Sequence, residues 1–131
     1  MAKWVDEGEN DVLNIYLKNA TQNTTLYLGI YKNSEEPGED AGLTSLTEPS
    51  GNGYSRIALS PSDWSISGGE ATQPQKTFTA SGGDWGNCYG YFIATTSDNT
   101  GKLLAVEHFS DGPYNVVNGG SIKITPKITC S

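Results

Sequence analysis

Short runs of alternating apolar and polar residues fill most of this chain, and Gly, Pro, Asn and Asp cut them at close intervals. In TLYLGIYK, residues 25–32, Leu26, Leu28 and Ile30 alternate with Tyr27, Gly29 and Tyr31. That period of two predicts a strand with one buried face. ATQPQKTFTAS (71–81), DWGNCYGYFIATT (84–96), GKLLAVEHFS (101–110), NVV (115–117) and SIKITPKIT (121–129) each predict a further strand. The breaks SGGD, SDNTG, SDGP and NGG supply residues that tolerate the left-handed backbone of turns. Only residues 7–18 read differently. Val12, Leu13, Ile15, Tyr16 and Leu17 follow the acids Asp6, Glu7 and Glu9, which suit the positive end of a helix dipole. They predict one short helix ending near Asn19.

The fold class that follows is mainly β: an antiparallel β-sandwich, Ig-like or jelly-roll-like, with one short N-terminal helix. At 131 residues the chain is a single domain, 1–131, with enough length for a real core. NSEEPGEDAG (33–42) carries four acids with no apolar periodicity and predicts a solvated loop. In EPSGNGYSRIALSPSDWSI (48–66), Gly51 and Gly53 let the chain reverse, Tyr54 and Ile57 enter a strand pair, and Pro61 ends the ladder. Arg56 either lies on the solvated face or pairs with an acid.

Eight basic residues against fifteen acidic ones give a formal charge of -7, which repels phosphate backbones and anionic lipid. Neither nucleic acid nor a membrane is an expected partner. No apolar run approaches the roughly 18 residues needed to span a bilayer. The start MAKWVDEGEND lacks a basic, apolar leader. A soluble protein made in a cytoplasm is expected.

Candidate chemistry is sparse, and no cofactor or metal is expected. The lone histidine, His108, has Ser110 and Asp111 near it in sequence, but no strand-turn-helix elbow surrounds a serine, so a structural histidine is expected. One His with Cys88 and Cys130 falls short of a zinc site, and the two cysteines read as two thiols or a single bridge. The acids of 33–42 lack the EF-hand pattern. Aromatics remain. Trp64 and Trp85 either plug the core or form a face that stacks on sugar rings. Trp4 and Val5 form an apolar pair outside any amphipathic element, which marks residues 1–9 as a candidate docking arm.

The succession of an apolar helix, TLYLGIYKN, an acidic Gly/Pro loop, LTEPSGNGYSRIALS, KTFTASGGDWGNCYGYFIATTSDNTGKLLAVEHFS and a terminal NGGSIKITPKIT resembles small structural proteins of tailed bacteriophages, head-decorating or tail-fibre-like. The resemblance spans about residues 10–128 and implies a β-sandwich in a virion, with no enzymatic activity. Because the whole chain is used by one sandwich, the expected role is capsid decoration, a cement protein binding the major capsid protein or other virion proteins in many copies, as a trimer or dimer. The alternative is a tail- or fibre-associated adhesin, or a carbohydrate-binding module, using Trp64 and Trp85.

Overall fold

The computed structural model of the chain describes residues 1–23 and 25–130. In order, the elements are β1 (Lys3–Trp4), α1 (Asp6–Lys18), β2 (Leu26–Tyr31), β3 (Ile57–Leu59), β4 (Ser65–Ser67), β5 (Glu70–Thr72), β6 (Lys76–Thr79), β7 (Gly86–Cys88), β8 (Gly90–Ala94), β9 (Leu103–His108), β10 (Tyr114–Val116), β11 (Ser121–Ile124) and β12 (Lys127–Thr129). Single 3-10 turns occupy Leu43–Ser45 and Pro61–Asp63. The chain is mainly β and antiparallel, with one helix near its N-terminus, as the alternation predicts.

A five-stranded sheet in the order β1-β9-β8-β2-β3 forms the larger layer. The opposing layer is three separate ribbons, β12-β5-β4, β11-β6 and β10-β7. Three predicted strands are divided. ATQPQKTFTAS breaks over 73–75, between β5 and β6. SIKITPKIT breaks at Pro126, which is buried and has no N–H to give a ladder, and DWGNCYGYFIATT breaks at Tyr89.

Both faces of the large sheet are buried. Leu28, Ile30, Tyr91 and Ile93 meet Phe78, Trp85, Ile122 and Ile128 of the ribbons in the main core. On the other face Tyr31, Phe92 and Ala94 pack with Val5, Leu43 and Leu46. Stretch 33–42 is therefore only in part the solvated loop expected. Its acids are exposed, but Pro37 is buried, and the segment that follows it lays Leu43 and Leu46 over the sheet.

Residues 1–9, the candidate docking arm, lie against their own chain. Lys3 and Trp4 pair with Val106 and Ala105 of β9, Ala2 bridges Ile128, and Val5 is completely buried. Burying these apolar residues inside their own chain removes them from water as effectively as a neighbouring chain would.

Stretch 48–66 is a turn and a lock. Gly51, Asn52 and Gly53 all take left-handed φ, 68°, 52° and 81°, which reverses the chain in three residues. Arg56 pairs with an acid: its Nη2 donates to Glu48 Oε2 at 2.8 Å and its Nε to Oε1 at 3.0 Å. The same guanidinium donates to the carbonyls of Thr96 and Asp98 and lies 5.0 Å from the Phe92 ring centroid. Cys88 is buried, Cys130 is exposed, and they are not bridged, so only Cys88 lies on an apolar strand face.

Candidate functional site

Helix α1 is joined to the sheet by its first half. Asp6 N–H donates to Glu39 C=O at 2.8 Å, the Glu7 carboxylate accepts the Leu103 N–H at 2.7 Å, and Asp11 pairs with Lys102 at 2.6 Å. Gly8 makes this approach feasible. A Cβ there would stand 2.2 Å from the Leu104 carbonyl oxygen, so no larger residue fits without moving the helix. Leu104 is itself displaced from the ladder, because Ile93 opposes Ala105 while Ala94 opposes Leu103. The bulge puts Leu104 and Ala105 on the same, main-core face, and the Leu104 carbonyl accepts the Val5 N–H at 3.0 Å.

Only Gly8 and Asp11 of the helix are buried. At about 100° per residue, Ile15, Val12, Tyr16, Leu13 and Leu17 succeed one another around an arc of roughly 200°, of which the Ile15–Val12 margin borders the body. The rest of the arc faces solvent, with Tyr16 87 %, Leu17 74 % and Leu13 53 % exposed. Helix α1 ends at Asn19, whose φ of 55° closes it in the left-handed form.

Beside this stripe lies a cleft of about 270 Å³. Trp4, Pro61 and Trp64 flank it, Leu26, Leu59 and Leu104 lie beneath, and Val12 and Ile15 are its helical wall. Trp4 is held in place by its indole N–H, which donates to Thr129 C=O at 3.1 Å. Ile66, two residues beyond Trp64 along extended chain, is exposed and extends the apolar surface onto β4. Scattered apolar side chains are normal on a surface, whereas a contiguous group of this kind marks an interaction site.

The four site residues expected from sequence are distributed differently. Trp4 and Trp64, far apart in sequence, meet at the cleft. Val5 is in the core beneath it, on the opposite face of the sheet. Trp85 is 3 % exposed, packs edge-on against Tyr54 at 5.4 Å, and donates its indole N–H to Asn52 C=O at 2.9 Å. It is therefore unavailable for stacking on a ligand, and no joint Trp64–Trp85 face exists. Leu13, Tyr16 and Leu17 were legible as helix formers but not as outward residues. The signal was their breadth, since an arc of roughly 200° is wider than the stripe a helix needs to cover one sheet.

Elsewhere the polar groups are committed to structure. His108 Nδ1 bonds the Tyr31 hydroxyl at 2.8 Å, and its ring stacks between Tyr31 and Tyr89. Asp111 accepts from the Tyr114 hydroxyl and is not joined to His108. Among the described residues no three His, Cys, Asp or Glu side chains converge as metal ligands. No helix among them is long and apolar enough to cross a membrane.

None of the curated proteins matches the chain. One family model does, that of the Podophage GP4 fiber I protein gp80, over residues 3–128. The match takes in β1, the helix, both layers and the cleft between Trp4 and Trp64. It agrees with the resemblance to phage structural proteins seen in the order of motifs. The chain therefore belongs to the family of the Podophage GP4 fiber I protein gp80, and is a structural component of a phage virion that interacts with other virion proteins.

Proposed function

We propose that this chain is a non-enzymatic fibre component, attached to its particle by another virion protein that covers the outward side of α1. The observation that carries the reading is the exposed stripe of Leu13, Tyr16 and Leu17 on a helix whose other side is already bonded to β9. Exposing these side chains to water is unfavourable in an isolated protein, and a partner that buries them recovers about 25 cal/mol per Å² of apolar surface. Copies gathered on one assembly then hold more firmly than any single contact would.

The family description supports the fibre over the capsid surface, the role ranked first from sequence. That ranking rested on the lack of a separate receptor-binding domain, and a fibre part that attaches to other fibre proteins needs none. A glycan-binding role ranks second. It retains Trp64 but loses Trp85; Asp11, Gln22 and Asn23 also line the cleft beside Trp64, whose surface is otherwise apolar.

The test is the double variant Leu13→Glu/Leu17→Glu, added to particles produced without this protein. Both positions are exposed, so the circular dichroism spectrum should match wild type while co-sedimentation with particles is lost. Incorporation of the variant at the wild-type copy number would show that attachment uses another surface.

A further inference from the structure

The outward face of α1 and its cleft have a charge pattern that specifies what can cover them. Glu9 falls between Tyr16 and Leu13 around the helix axis, and Asp6 falls beside Leu13 two turns earlier. Asp63 is exposed between the cleft residues Pro61 and Trp64. None of these three carboxylates forms an ion pair among the described residues. The nearby bases do not offset them. Lys102 is committed to Asp11, and Lys18 lies roughly 100° beyond Leu17, off the stripe.

We infer that the partner presents an apolar ridge bordered by Lys or Arg, with one large apolar side chain seated between Trp4 and Trp64. This inference rests on the attachment reading and gives that partner its chemistry. The cleft provides the anchor: two large, partly exposed indoles over the apolar residues Leu26, Leu59 and Leu104 have the composition of an interface hot spot, although Asp11, Gln22 and Asn23 line it too. Glu9, Asp6 and Asp63 form an acidic rim, which sets partner choice and the rate of encounter. A second copy of this chain is a poor occupant. A two-fold contact through the same patch would set these acids against their own copies, and a charge of -7 against -7. An anionic membrane is disfavoured by the same sign.

The probes are two synthetic amphipathic helical peptides with identical Leu and Trp positions, one flanked by Lys and Arg and one by Glu. Binding to the full chain is read by anisotropy of the labelled peptide, and self-association by sedimentation velocity. The basic peptide should bind, and weaken about tenfold or more in Glu9→Lys and, separately, in Trp64→Ala variants whose circular dichroism is unchanged. Affinity should fall as salt rises, the Glu-flanked peptide should bind at least tenfold less well, and Glu9→Lys should narrow that difference. The protein alone should sediment as a monomer.

Equal binding of both peptides overturns the inference, as does self-association lost in Leu13→Glu/Leu17→Glu. Failure of both peptides to bind also overturns it. If the same double variant nevertheless abolishes attachment to particles, the fibre reading stands and only the partner chemistry is wrong.

Discussion

Trp64 and Trp85 look alike in the sequence, each beside Asp and a turn, yet they have opposite fates. Trp85 is enclosed and its N–H is satisfied, so Trp85→Ala should cost about 4 kcal/mol through lost burial and a cavity. Trp64→Ala should cost less, about 2 kcal/mol, since that ring is only partly buried. Urea denaturation of the two variants checks the contrast; equal losses would contradict this assignment of core and surface. Arg56 behaves as a core residue although it is charged, with a side chain 3 % exposed. Arg56→Ala strands Glu48 and three loop acceptors, Thr96 C=O, Asp98 C=O and Asn99 Oδ1, and should cost about 3 kcal/mol, seen as a fall in Tm of roughly 10 °C. Tyr54 and Tyr31 are pushed well above the ordinary phenol range by burial, with the bond to Glu48 adding at Tyr54 and the charge of Glu36 at Tyr31. Burial also raises Tyr91. Above about pH 10 the unfolded chain releases these protons and the folded chain keeps them, so stability is complete below that pH and declines as pH rises beyond it. Denaturant midpoints at pH 8 and pH 11 should differ accordingly, and a midpoint unchanged at pH 11 would contradict the burial of these hydroxyls.

At the scale of elements, the helix and the turn at 51–53 were readable because their signals are local: acids before an apolar run, and glycines where φ must be positive. What α1 rests on was not readable. Its seat depends on Gly8 and on a bulge at Leu104, nearly a hundred residues away, and no periodicity reports that. Gly8→Ala should lift the helix from β9 and destabilise the fold by about 2 kcal/mol, while helical signal persists below the transition. Unaltered stability would mean that the close approach to Leu104 is not required. The stretch 33–42 and the residues just after it misled in the same way. Its acids truthfully reported solvent, but Pro37, Leu43 and Leu46 were too sparse to announce a cover for the second sheet face.

At the scale of the molecule, both cores share β2, β8 and β9, since neighbouring residues such as Phe92 and Ile93 point to opposite sides. Unfolding should therefore be a single transition, with Trp fluorescence and far-ultraviolet circular dichroism superimposing; separated curves would mean that the two faces melt independently. By itself the sequence determined the β class, the single helix, the turn positions and the order of motifs shared with phage structural proteins, all of which depend on residues close together along the chain. Tertiary structure alone decided that Val5 and Trp85 are interior, that Trp4 joins Trp64, and that Leu13, Tyr16 and Leu17 face outward. The physical reason is that burial is a relation between distant segments: an apolar side chain specifies that it avoids water, but whether its own chain or another protein provides the cover is fixed only when the layers pack.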